Sequence, residues 1–321
     1  MSDKQTVRRI RLIIKGLINS TLFKLVNRNH FKSNDAIIIC GAMRSGSTWL
    51  AELLSAVEGH MQVFEPLHPH YVKEVNKAGL GNNRYFFIDK KSDNFPAQYF
   101  INSVLTGKYL NHWMLSQASF SDVINAKKLI VKFVRANLLI DWMNKVLDIR
   151  KPIVILRHPC GIIASTMKKK WIKDKNQVLG HPYLQQYPQI LAKCKDLTSQ
   201  EELSAILWCI QYHPLLKHNN GEYILVSYES LVRNGKDELI KIYAQWNEVP
   251  PIEAIQQLQQ ASDTSTKDSM INRGKDPLAG WTDFFSNEQI DRILNVLSYF
   301  DIQVYSKELE PDYNLINKYN N

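Results

Sequence analysis

Cysteine is sparse in this chain. Cys40, Cys160, Cys194 and Cys209 are the only four in 321 residues. They fall at wide, irregular spacings with no CxxC pair and no Cys/His cluster, so neither a disulfide framework nor a zinc site is indicated, and a reducing compartment fits best. Glycine and proline, at 13 and 12 residues, are too few for a collagenous or low-complexity chain. Long hydrophobic runs are missing too. The most apolar early stretch (Leu12, Ile13, Ile14, Leu17, Ile18, Leu22, Phe23, Leu25 and Val26) is broken by Lys15, Gly16, Asn19 and Lys24, short of the roughly 20 apolar residues that a membrane span needs. A cleavable secretory signal is not expected either, since a lysine interrupts the run and no small-residue cleavage site follows. Acidic residues are in the minority, 31 against 40 Lys and Arg for a net charge of +9. That excess favours anionic partners such as nucleotides, nucleic acids, acidic glycans or a lipid surface, without choosing among them.

What is present is a globular composition, 45% hydrophobic and 22% charged, long enough for one large α/β core with appendages. Residues 1–34 form a distinct basic segment, in which Lys4, Arg8, Arg9, Arg11, Lys15, Lys24, Arg28 and Lys32 face only Asp3 among acids. It is expected to be an amphipathic helix packed on the domain, with an anionic membrane surface as the alternative seat. From residue 35 to 321 the chain is expected to be a single domain, cytoplasmic or peripherally membrane-bound.

Within that domain, short β-branched and aromatic runs at 36–40, 61–64, 129–133, 153–156 and 223–226 read as buried strands. Helical periodicity separates them at 47–57, 137–147, 161–170, 201–217, 236–246, 252–260 and 287–300, the last opened by a capping box from Ser286 and Gln289. This alternation predicts an α/β fold with a P-loop-like parallel sheet and helices on both faces. Segments 67–126 and 171–199 have no clear period and are expected as long insertions that carry specificity.

The strongest local signal is Gly41-Ala42-Met43-Arg44-Ser45-Gly46-Ser47-Thr48, directly after the first strand and opening a helix. A glycine turn at a helix N-terminus makes a nest of N–H donors for an anion. The segment has the outline of GxxxxGK[ST], but Ser47 replaces the lysine and the cation, Arg44, lies upstream. The strand ending at Leu156 is followed by Arg157 and His158, where an NTPase would place its Mg²⁺-binding Asp. Phosphate binding by arginine and hydroxyls without a metal suits the transfer of a singly charged group, as in sulfuryl transfer. Arg157 at a strand end and Ser165 on the following helix fall on the sheet's carboxyl edge, where they could hold a second phosphate.

At these residues the chain resembles the sulfotransferases that use 3′-phosphoadenosine 5′-phosphosulfate. The resemblance implies that Arg44, Ser45, Gly46, Ser47 and Thr48 bind the 5′-phosphosulfate, and that Arg157 and Ser165 bind the 3′-phosphate, with no metal. Tyr228-Glu229-Ser230-Leu231-Val232 is similar to the segment whose tyrosine lies near the adenine, and Trp49 occupies the position of the aromatic that stacks on it. Arg273-Gly274-Lys275, followed by Gly280-Trp281, is similar to the loop that closes over the 3′-phosphate, with Ser265 as a further contact. His158 stands where that family often has Asp. Arg44 in place of Lys, with Phe64-Glu65-Pro66-Leu67, is similar to carbohydrate enzymes acting on N-acetylglucosamine 6-hydroxyls. The implied acceptor is a hydroxyl of a carbohydrate or glycolipid. Those enzymes are usually anchored Golgi proteins; the anchor is not found here, and the expectation is a bacterial or cytosolic relative.

The catalytic base is expected to be Glu65, where desolvation beside the second strand would raise its pKa; the resembling carbohydrate enzymes also have a catalytic Glu there. His68 and His70 are the alternatives. Lys132 reads as a solvated strand-end lysine or a substrate-orienting one. Aromatics interleaved with bases, at 84–87, 108–113 and 168–171, read as rim packing or sugar-stacking surfaces. No nucleic-acid motif accompanies the positive charge. A divergent P-loop nucleotide kinase and a non-catalytic nucleotide- or membrane-binding module are the competing classes.

Overall fold

Five short parallel strands, rich in isoleucine and valine, organise the molecule, which is seen here in a computed structural model that describes residues 3–26, 31–80, 86–217, 221–259 and 276–318. They are β1 (Ile37–Gly41), β2 (His60–Phe64), β3 (Lys128–Phe133), β4 (Ile153–Leu156) and β5 (Ile224–Ser227), in the order β2-β3-β1-β4-β5. All four pairings are parallel. Each strand lies within one residue of its expected place. Alternate side chains feed two cores, as the two-residue strand period requires. Ile38, Cys40, Val63, Val131 and Val154 face one core with the helix Gln200–Lys217. Ile37, Ile39, Ile130, Ile153 and Ile155 face the other with Leu50, Leu53 and Leu54 of α2 (Ser47–Ser55).

The strand order reverses beside β1. From β1 the chain crosses on one face to β2; from β4 it crosses on the other, through the helix Pro159–Met167, to β5. The crevice between the carboxyl ends of β1 and β4 is therefore where a ligand fits in such a sheet. It brings the glycine loop and Arg157 together.

Several expected helices differ in extent. The one placed at 236–246 begins at Tyr228 and continues to Ala244, kinked at Asn234. Its start was masked because Ser227, which accepts a hydrogen bond from the Ser230 N–H, is both the last residue of β5 and the helix cap. The segment at 137–147 opens with a 3-10 turn, Asn137–Leu139, before the helix Ile140–Val146. The one at 252–260 is a short helix, Ile252–Gln256, followed by another 3-10 turn. The two insertions form short helices rather than open loop, among them Phe95–Leu105, Phe120–Ile124 and Pro188–Cys194.

The basic leader is a helix, α1 (Asp3–Val26), and one face of it packs on the domain. Asn19 is buried and donates to the carbonyls of Leu115 and Ala118, both at 2.9 Å. Gly16 lies so close to His112 that a Cβ would come within 2.0 Å of its carbonyl oxygen. Among the described residues no helix is long and apolar enough to cross a membrane.

Candidate active site

The glycine loop is tied to the sheet before it turns. The Ala42 N–H donates to the Tyr212 hydroxyl at 2.9 Å, and that hydroxyl donates to the Ile155 carbonyl on β4 at 2.9 Å. Two residues then enter the left-handed region, Arg44 at φ 71° and Gly46 at φ 96°. Only glycine fits at 46, because a Cβ there would come 2.4 Å from the Tyr228 ring. Ser45 and Ser47 are buried at the turn, with α2 starting at Ser47.

The second constellation converges on this loop. Arg44 Nε–H donates to Ser165 Oγ at 2.9 Å, and Arg157 Nη1–H donates to the Arg44 carbonyl at 2.9 Å. Arg157 lies over the Tyr228 ring at 4.1 Å, and Trp49 meets the same ring edge-on at 6.1 Å. Arg44, Ser165, Arg157, Tyr228 and Trp49 thus form one cluster. Among the described residues neither guanidinium forms an ion pair, and the buried Trp49 indole N–H has no acceptor. Burial first, and then the charge of Arg157, push the Arg44 pKa down. Two adjacent half-buried cations with free donors have the charge and the shape that would suit an anion. Ser265, Arg273 and Gly274 lie outside the described residues. Trp281 is buried and stacks on His158 at 4.5 Å.

His158 has a structural task. Its Nδ1 accepts from the Cys160 N–H at 3.1 Å and caps the helix after β4, so Nε2 carries the proton and donates to the Ser306 carbonyl at 3.0 Å. An aspartate could supply the cap but not that second bond.

Glu65 departs from expectation. It sits at φ 42° just past β2, its Oε1 accepting from Lys132 Nζ at 3.0 Å and its Oε2 from Arg135 Nη1 at 3.3 Å. Burial alone would raise its pKa, but Lys132 and Arg135 outweigh burial and hold the carboxyl below its usual value. The expected upward shift is therefore reversed. Lys132 is not solvated either. Its side chain is 2% exposed, lies over the Phe64 ring at 4.0 Å, and donates to Thr48 Oγ1 at 3.1 Å. Through Thr48 the Glu65 cluster joins the glycine loop.

Beyond Glu65 lies an aromatic group. Tyr71 stacks on Trp113 at 4.0 Å, and Trp113 packs edge-on against His68 and Phe64. Burial first, then Arg135, lower the His68 pKa to about 4. His70 is exposed and donates its backbone N–H to His68 Nδ1 at 3.3 Å.

Residues 36–248 match the profile of the sulfotransferase family. The chain belongs to the sulfotransferase family. No curated protein matches it. Among solved structures it is similar to the sulfotransferase domain of the Synechococcus PCC 7002 olefin synthase, at 15% identity over 86% of this chain and 98% of that one, TM-score 0.46. It is also similar to the sulfotransferase domain of the curacin biosynthetic pathway, at 14% identity over 83% and 97%, TM-score 0.46. The mouse sulfotransferase SULT7A1 complexed with PAP is 12% identical over 87% of each chain, TM-score 0.39.

In this sulfotransferase, sequence reasoning missed the residues that brace the site. Trp208 Nε1–H donates to the Arg157 carbonyl at 3.0 Å, and Glu229 accepts the His158 N–H at 2.9 Å and the Tyr305 hydroxyl at 2.8 Å. Trp208 and Tyr305 belong to no local motif, and Glu229, although it lies in the Tyr228–Val232 segment, shows its bracing role only through contacts 71 and 76 residues away in sequence. Arg135 had one available signal: it follows Lys132 at the end of a buried strand, where a second cation calls for a carboxylate.

Proposed function

We propose that this sulfotransferase moves the sulfuryl group of 3′-phosphoadenosine 5′-phosphosulfate to a hydroxyl of a carbohydrate or glycolipid. The meeting of Arg44, Arg157 and Ser165 beside Tyr228 and Trp49 carries the reading. Two cations without a carboxylate partner among the described residues suit a ligand with separate anionic groups, and the flanking rings suit a base. Ser45, Gly46, Ser47 and Thr48 would hold the 5′ end, and Arg157 with Ser165 the 3′-phosphate.

When bound, the donor supplies the sulfuryl group. Arg44, which stays ionised, stabilises negative charge on the departing phosphate oxygen without surrendering a proton. Glu65 is the base. Ionised at neutral pH, it takes the acceptor's hydroxyl proton as the oxygen bonds to sulfur and the sulfur–bridging-oxygen bond breaks; the cations that lower its pKa also make it a weaker base than an apolar pocket would. Lys132 orients Glu65 and links it to Thr48. The Tyr71–Trp113 stack is the feature that favours a sugar acceptor, alongside Arg44 and the segment Phe64 to Leu67.

Thermal shift tests the cofactor half. 3′-Phosphoadenosine 5′-phosphate should raise the melting temperature without magnesium, and more than ATP does. An ATP response that requires magnesium and exceeds it would point to phosphoryl transfer. Labelled donor with a panel of glycans, glycolipids and phenols then tests the acceptor.

A further inference from the structure

The face of α1 turned away from the domain is apolar. At about 3.6 residues per turn, Gly16, Asn19 and Phe23 share the packed side of the helix, and the opposite side carries Ile10, Ile13, Ile14, Leu17, Ile18 and Leu25. These six are exposed, Ile14 at 52% and Leu17 at 51%. Domain packing does not explain them, since the helix is already held by Lys15, Asn19 and Phe23 on its other side. Arg9 borders the stripe on one side and Arg11 on the other, and Lys24 stands within it. Asp3 is the only acid of the helix. An apolar stripe edged by cations and free of acids matches an anionic lipid surface in both its layers, the acyl boundary for the isoleucines and leucines and the headgroup phosphates for the cations. A protein partner would satisfy the apolar stripe equally well; the one-signed border favours lipid.

We infer that α1 seats the protein on an anionic lipid surface, lying in the interface with its Ile10–Leu25 stripe buried. The helix stands beside the aromatic group near Glu65, since Arg9 lies over the Tyr71 ring at 5.8 Å. A membrane-borne acceptor would thus have a short path to the site. That consequence rests on the functional reading above; the lipid contact does not.

The test is co-sedimentation of the full chain with vesicles of phosphatidylcholine alone and of phosphatidylcholine and phosphatidylglycerol in equal parts. The wild type should bind the mixed vesicles at least about tenfold better than the neutral ones, and the preference should shrink as salt is raised. Leu17→Glu and Ile14→Glu should abolish binding, and Arg11→Glu should weaken it. Because these side chains are exposed, the melting temperature should not change. Wild-type failure to bind, or unchanged binding by Leu17→Glu, overturns the inference. So does a dimer in sedimentation velocity that Leu17→Glu dissociates while vesicle binding is absent; the stripe is then a contact between copies. Calorimetry with 3′-phosphoadenosine 5′-phosphate on the same samples separates the two readings. Vesicle binding without nucleotide binding counts against the functional proposal only, and the reverse against the lipid contact only.

Discussion

At the scale of single residues, Glu65 is both the proposed base and the counter-ion of two cations, one of them Lys132 with a side chain 2% exposed. Glu65→Gln should therefore do two things. Leaving Lys132 without its partner should cost about 3 kcal/mol of stability, and losing the base should cost roughly 10²- to 10⁴-fold in turnover. The double variant Glu65→Gln with Lys132→Met separates them. Urea unfolding should show part of the stability regained, because the buried unpaired ammonium is gone while Arg135 still lacks its carboxylate, and turnover of an accepted substrate should stay low. Recovery of turnover along with stability would make Glu65 structural and direct attention to His68, which burial and Arg135 keep neutral near pH 7.

At the scale of elements, the decisive unit is the loop joining β1 to α2. Gly46 holds φ 96° with the Tyr228 ring against its α-carbon. Gly46→Ala adds both an unfavourable backbone angle and a Cβ 2.4 Å from Tyr228, and about 1–3 kcal/mol of stability should be lost in denaturant unfolding. Tyr228 must shift, and it carries Arg157 on its face. Calorimetry should accordingly find bisphosphate affinity reduced about tenfold or more. An alanine variant with wild-type stability and affinity would mean that the loop does not depend on this contact. The loop itself was legible, because strand, glycine turn and helix start follow one another locally. The helix beginning at Tyr228 was less so, since a single serine ends β5 and caps that helix without an intervening turn.

At the scale of the whole molecule, His158 joins distant parts of the chain. Its ring caps the helix after β4, bonds Ser306 and stacks on Trp281, while Arg157, Glu229 and Tyr305 surround it. Burial lowers its pKa from 6.5 to about 4, so the folded state holds it neutral where the unfolded chain would already be protonated. The stability that depends on this is complete above about pH 6.5 and falls as pH drops through 6.5 towards 4, by about 3 kcal/mol in all. Urea unfolding at pH 7 and pH 4.5 should record the loss. His158→Asn retains an acceptor for the Cys160 N–H and removes the titrating ring, so it should be less stable than wild type at pH 7 and lose less on acidification. An equal acid loss in both proteins would place the sensitive group elsewhere, with His68 next.

Local pattern by itself determined the parallel α/β class, the five strand positions and the place of the glycine loop between β1 and α2, and it singled out Arg44, Arg157 and Ser165. Each is written in a short window: continuous β-branched runs for strands buried on both faces, and a glycine turn where a strand feeds a helix. Only the tertiary structure decided that Arg44 and Ser165 touch, that Lys132 is buried, and that Glu65 lies below rather than above its usual pKa. Those facts depend on which strands become neighbours. β2 and β1 flank β3, and this order sets Phe64 and Ile39 on either side of Lys132 and brings Glu65 to the same edge. Whether a carboxylate meets cations or apolar walls is a property of that packing, and its sign cannot be read from the residues adjacent in sequence.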